Sequence, residues 1–103
     1  MPRQLSLSAV TVLNAIARGS EYGFDIIDAT GLPSGTVYPA LSRLERDGYV
    51  KSGWEDARKA HAEKRPPRRY YRLTAEGSGA LTEAVGRLRA LTRMPTRLAR
   101  GKA

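Results

Sequence analysis

Gly35-Thr36-Val37-Tyr38-Pro39-Ala40-Leu41-Ser42-Arg43-Leu44-Glu45 is the stretch that decides the fold. Val37, Leu41 and Leu44 stand at i, i+4 and i+7, a single apolar stripe on a helix. The opposite side carries Ser34, Thr36, Tyr38, Pro39 and Ser42, short or flat groups near the helix start. A helix with such a face fits a major groove about 12 Å wide and offers backbone N–H groups to phosphate. Gly35 has no side chain to hold the backbone away from a partner. Pro39 is tolerable near the first turn, where the carbonyl left unpaired belongs to Gly35 or its neighbour. Arg43 and Arg46 follow on the same helix, either to reach a phosphate backbone or to stand in solvent.

This helix is predicted from Pro33-Ser34 to about Asp47, with Gly48 as its stop. Before it, Tyr22 to Ala29 forms a shorter helix expected to bury Phe24, Ile26 and Ile27. Thr30-Gly31 ends that segment, Gly31 being able to take a positive φ. Helix, tight glycine-containing turn, helix is the helix-turn-helix arrangement. Leu5 to Ala17 is a preceding helix, with Ala9, Leu13 and Ile16 on one face and Val10, Leu13 and Ala17 widening it. So broad an apolar surface predicts burial on two sides, the second of which another subunit could cover.

Beyond Gly48 the pattern changes to strands. Val50 and Trp54 lie on one strand, Tyr71 and Leu73 on the other, and Trp54 is expected in the core. The connection from Glu55 to Arg68 is too long for a tight turn and carries Pro66-Pro67, so it is expected to be mobile. Thr74 is an N-cap, Glu76 favours the first turn, and a last helix runs to about Arg93. Leu81, Ala84, Leu88 and Leu91 follow three- and four-residue steps, a coiled-coil-like seam. Pro95 cannot continue that helix towards Leu98.

The composition narrows the function. Eighteen Lys and Arg against ten Asp and Glu give a net charge of +8, which suits a polyanionic partner. No cysteine is present, so disulfides, thiolate metal sites and cysteine nucleophiles are excluded. His61 is the single histidine and sits in the connection, with no glycine-rich phosphate loop, so neither a metal site nor an enzyme is expected. No apolar run approaches the roughly 20 residues of a membrane span, and no signal peptide is read. No cofactor is expected, and the predicted location is the cytoplasm.

Three stretches give the sequence a resemblance to the PadR-like transcriptional regulators, of the small single-domain type. They are Glu21-Tyr22-Gly23-Phe24-Asp25-Ile26, the Gly35 to Glu45 stretch, and Arg68-Arg69-Tyr70-Tyr71-Arg72-Leu73-Thr74. The central one is specific, since Gly-Thr-Val-Tyr-Pro inside a helical pattern is unusual. The resemblance spans roughly Leu7 to Gly77. One departure stands at the helix start: members commonly read Leu-Ser-Pro-Gly, whereas this chain has Leu32-Pro33-Ser34-Gly35. Either Ser34 caps a helix begun one residue later, or Leu32-Pro33 leads in differently.

The fold expected is mainly α with a small β-hairpin, a winged helix-turn-helix over 1–73. A C-terminal dimerisation helix over 74–95 and a basic tail over 96–103 follow. DNA contacts are expected from Ser34, Gly35, Thr36, Tyr38, Pro39, Ser42 and Arg43 on the recognition helix. Between Glu55 and Arg72, seven cations face three anions, and the wing contacts are expected from Lys64, Arg65, Arg68 and Arg69. Leu81, Ala84, Leu88 and Leu91 are the expected dimer seam. A homodimer would set two recognition helices on a near-palindromic operator in double-stranded DNA. The resemblance implies repression, and it admits a small aromatic effector at the dimer interface. The competing reading is a winged helix that binds RNA or another protein.

Overall fold

The computed structural model describes residues 4–93, in the order α1 (Leu7–Ala17), α2 (Gly23–Thr30), α3 (Ser34–Arg46), β1 (Val50–Trp54), α4 (Ala57–Ala62), β2 (Arg69–Leu73) and α5 (Ala75–Arg93). The expected helix stop at Pro95 and the basic tail over 96–103 lie outside the described residues.

Ser6 caps α1 by accepting from the Ala9 amide at 3.1 Å. Val12 and Leu13 are wholly buried, and Ala9, Val10, Ala15 and Ile16 nearly so. α2, α3, α5 and β2 all pack on this helix, so its two-sided burial is met within the chain. A second subunit is not needed for it. Ala17, expected on the buried face, is exposed at the helix's last position, while Val12 and Ala15 supply the width.

α2 is too short to bury more than one stripe. Gly23, Ile26 and Ile27 face inward, and Phe24 falls outside that stripe at 76% exposure, against its expected burial. Gly31 then takes a left-handed φ of 74°, its amide donating to the Ile27 carbonyl at 2.9 Å. The Leu32 amide donates to the Thr30 hydroxyl at 3.1 Å, closing the turn. α3 begins at Ser34 with Pro33 in the cap position and no side-chain cap. The Pro33 carbonyl accepts from the Thr36 and Val37 amides at 2.9 and 3.0 Å. Ser34 is therefore the first helical residue and not the cap. Val37, Ala40, Leu41 and Leu44 are all buried, against α1, α2 and β1.

β1 and β2 pair antiparallel, from Val50 opposite Leu73 to Trp54 opposite Arg69. Tyr22 bridges to Tyr70, and the Tyr71 amide donates to the Glu21 carbonyl at 2.8 Å, so the segment before α2 borders the hairpin. Along one face of β1 burial falls from Val50 through Ser52 to Trp54. Trp54 is 64% exposed, which overturns its assignment to the core. Burial falls along the strand away from Val50, so its last residue is left in solvent, with Arg69 5.4 Å from its ring centre.

Thr74 anchors α5 twice: its hydroxyl donates to the Gly48 carbonyl at 2.6 Å and accepts from the Gly77 amide at 3.0 Å. The apolar seam is divided. Leu81 and Ala84 are buried, in a helix that packs on α1 of the same chain, whereas Leu88 and Leu91 are 39% and 63% exposed. No described helix is long and apolar enough to cross a membrane.

Candidate nucleic-acid interface

The α3 stripe that fills the core fixes what the helix shows outside. At about 100° per residue, Gly35, Pro39, Ser42 and Arg46 line up opposite Val37, Leu41 and Leu44. Ser34, Gly35, Tyr38, Pro39, Ser42 and Arg43 are exposed and Thr36 is half-buried; Gly35, Pro39 and Ser42 share the outward line, with Arg43 and Thr36 to one side of it and Tyr38 and Ser34 to the other. Arg46, left out of the predicted set, belongs to its central line and, among the described residues, pairs with exposed Asp47 at 3.5 Å. Its i+4 and i+7 spacing from Ser42 and Pro39 was the available signal. Pro39 lies inside the helix and leaves the Gly35 carbonyl without its usual amide partner. Tyr38 and Glu45 occupy the flank towards the hairpin. The Tyr38 ring lies over Gly23, whose missing side chain leaves room for it, and Tyr38 remains 45% exposed.

The wing differs from the expected mobile connection. Asp56 caps α4 by accepting from the Arg58 amide at 2.9 Å, and Ala60 is completely buried. The helix closes on Lys64, which takes a left-handed φ of 58°. The Arg65 amide reaches the Ala60 carbonyl at 3.1 Å and the Lys64 amide the His61 carbonyl at 2.9 Å, a Schellman closure. The sequence carried this signal: Asp56 followed by Ala57-Arg58-Lys59-Ala60-His61-Ala62 is a cap before strong helix formers.

Glu55 is the anchor of the wing. Its side chain is 5% exposed and takes both guanidinium nitrogens of Arg65, as well as the Arg68 amide at 2.9 Å. The side-chain hydrogen bond from Arg65 dominates in holding the Glu55 carboxyl at about 2, against an ordinary 4.5; burial opposes it. The Arg65 guanidinium is correspondingly raised, first by that same bond. A carboxyl held low in the folded state contributes stability that is complete above about 4.5 and is lost as the pH falls through about 2. Amide protection across α4 is therefore expected to hold from neutral pH to about 4.5 and to decay below it. Glu55→Gln should abolish that acid step, and an unchanged step in this variant would refute the clamp.

The arginines that follow, Arg68, Arg69 and Arg72, are also held. Arg68 lies 4.0 Å over the Tyr22 ring and Arg72 4.6 Å over the Tyr70 ring. Arg69 donates to the Ser52 hydroxyl at 2.6 Å, stands 3.5 Å from the Glu45 carboxylate and lies 5.4 Å from the Trp54 ring centre. Ser52 in turn donates to Glu45 at 2.6 Å, so α3 and the hairpin are tied at one place. Of the wing residues singled out from sequence, Lys64 is exposed and makes no ion pair among the described residues. Arg68 and Arg69 are partly exposed, while Arg65 is 23% exposed and is occupied by Glu55 and Glu63. Tyr71 is buried and Tyr70 half-buried, as strand alternation requires. Among the described residues no group of three or more His, Cys, Asp or Glu side chains is placed to hold a metal ion.

The sequence matches the family described as "Transcriptional regulator PadR-like family" over residues 12–83. No curated protein matches it in sequence. Among solved structures, a PadR family transcription regulator from Clostridium difficile R20291 superposes with a TM-score of 0.75 at 24% identity, covering 85% of this chain and 93% of that one. A PadR-like transcription factor from Bacteroides fragilis gives a TM-score of 0.69 at 27% identity, covering 82% of each chain. The PcaV transcriptional regulator from Streptomyces coelicolor, solved with its natural ligand, gives 0.75 at 21% identity. That match covers 88% of this chain and 60% of PcaV.

Proposed function

The chain belongs to the PadR-like family of transcriptional regulators, and from that premise we propose that it reads a near-palindromic operator as a homodimer and represses the gene beside it. The family consists of regulators, not enzymes, and DNA is the shared partner. The observation that carries the specific reading is the exposed α3 face, which is uncharged along Ser34, Gly35, Tyr38, Pro39 and Ser42 and ends on Arg43 and Arg46. Apolar and hydroxyl groups at the helix start suit base edges, and cations at its end suit phosphate.

Gly35 supports the same reading. A Cβ built there meets nothing within 4 Å, so the fold itself does not require glycine. Glycine within a helix costs about 0.5–1 kcal/mol relative to alanine. Its benefit lies outside the chain, in close approach to the duplex. Gly35→Ala is thus expected to raise thermal stability slightly while weakening operator binding; tighter binding would contradict the placement.

The homodimer is supported by the uncovered half of the α5 seam. Leu88 and Leu91, with Leu5, Leu7 and Val10 from the start of the chain, line an apolar groove of about 450 Å³. Leu7 is 69% exposed, and three such leucines on one surface suit a second copy's α5. In this division of labour residues 1–73 read DNA and 74–95 pair the subunits. A small aromatic effector would share the groove, whose lining includes Arg87, itself paired with Glu83 at 2.8 Å. One solved regulator of this shape, BpsR from Bordetella bronchiseptica, has its DNA binding regulated by 6-hydroxynicotinic acid.

Selection from a random duplex pool tests the proposal. Enrichment of a twofold-symmetric motif with half-sites about one DNA turn apart is the expected result. An unenriched pool, or preference for single-stranded RNA, would replace it with the interaction-module reading.

A further inference from the structure

We propose that Gly23, on α2, is a positioning residue for sequence specificity: its missing side chain forms the seat that fixes the Tyr38 ring, and so decides which surface of that ring a duplex meets. This inference rests on the reading of α3 as the DNA-facing helix and names a residue outside α3 that controls what it reads. Gly23 opens α2 and is buried. Among the described residues the glycines with a left-handed φ are Gly19, Gly31 and Gly48, so the chain path at Gly23 is one that any L-residue can follow. What excludes a side chain there is Tyr38. A Cβ built at Gly23 would stand 2.6 Å from Tyr38 Cε1 and Oη and 2.8 Å from Cζ, the three atoms nearest to it.

The nature of that obstacle sets the response to a side chain. At Gly77 a Cβ would strike backbone, and at Gly35 it would strike nothing within 4 Å. At Gly23 it would strike the far end of a side chain that flanks the reading face. Carbon atoms pack at about 3.5–4.0 Å, so the ring would have to retreat by about 1 Å. Tyr38 is half-exposed and has solvent to move into. The seat itself is fixed. Tyr22 bridges to Tyr70, the Tyr71 amide donates to the Glu21 carbonyl at 2.8 Å, and the Ile26 amide to the Tyr22 carbonyl at 2.9 Å. The Gly31 turn and the Leu32–Thr30 hydrogen bond hold α2 against α3 at the other end. A ring seated before binding loses less rotamer freedom when it meets a base. A contact built to hydrogen-bond or van der Waals distance does not survive a displacement of about 1 Å.

A double-mutant cycle between Gly23→Ala and Tyr38→Ala tests the seat. Its readouts are the affinity ratio between a duplex carrying the selected motif and a scrambled duplex, and the melting midpoint. Gly23→Ala should lower the ratio by roughly 10-fold. Affinity for the scrambled duplex and its salt slope should match the wild type, because no charge changes. The midpoint should equal that of the wild type or exceed it by a few degrees, since alanine is the better helix former. In the Tyr38→Ala background no ring remains to displace, and the same substitution should leave the ratio unchanged. A wild-type ratio in Gly23→Ala overturns the inference. An equal loss in both backgrounds also overturns it, because Gly23 would then act without Tyr38. A midpoint that falls in Gly23→Ala and recovers in the double variant, with the ratio kept, would assign the glycine to packing alone. If Tyr38→Ala itself kept the ratio, the seat would fall while the operator reading stood. A wild-type chain that bound both duplexes equally would overturn the operator and the seat together.

Discussion

Replacing Gly77 by alanine is expected to lower the unfolding free energy by about 3 kcal/mol or more. A Cβ built at Gly77 lies 1.9 Å from the Tyr49 carbonyl oxygen and 2.8 Å from its carbon, both backbone atoms. No rotamer change relieves such a contact. The Tyr49 carbonyl also accepts from the Thr74 amide at 3.1 Å, so the corner that would have to move is the one that seats α5. For a domain of this size the melting midpoint should fall by roughly 12 to 24 °C, measured at fixed chain concentration. Gly79→Ala and Gly86→Ala are the controls. Neither meets an atom within 4 Å, and both lie on the side of α5 away from the leucine seam. Each should instead raise stability by about 0.5–1 kcal/mol. A Gly77→Ala protein as stable as the wild type would show that α5 does not sit against the Gly48–Tyr49 corner.

Tyr38→Ala is expected to reduce the preference for the operator over scrambled duplex by roughly 10- to 100-fold, as loss of one base-reading contact worth about 1–3 kcal/mol would do. The side chain stands on the exposed face of α3 with its ring over Gly23 and its remaining surface open. Because it is half-exposed, its removal should cost the fold little. Arg68→Ala should behave differently. Its guanidinium is stacked on Tyr22 at the wing, so its loss should weaken binding to every duplex alike. If Tyr38→Ala left discrimination unchanged, the reading face would have to be placed elsewhere on α3.

How far the sequence could be read depended on how long each pattern ran. The Val37, Leu41, Leu44 stripe extends over two turns, and the structure buries all three and exposes the opposite face. Gly31 and Thr74 were readable as a turn and a cap because their chemistry is local. Phe24 and Trp54 were misread for a shared reason: apolar character says a side chain gains by burial, but not whether a neighbour reaches it. Phe24 sits off the one stripe an eight-residue helix buries, and Trp54 ends a strand along which burial has run out. The wing was misread because Pro66-Pro67 drew the whole connection into a loop, although Asp56 and the alanine-rich run after it signal a helix. The partners of Arg65 were not legible, since charge pairing across ten residues depends on the tertiary path. The DNA-reading face was the more legible part of the site, because it is the complement of the core.

The most direct measurement is equilibrium binding to the duplex upstream of the chain's own gene and to a scrambled duplex of equal length, both at physiological salt. The upstream duplex should bind at least about 1,000-fold more tightly than the scrambled one. Equal affinity for the two duplexes would contradict the operator reading at its centre.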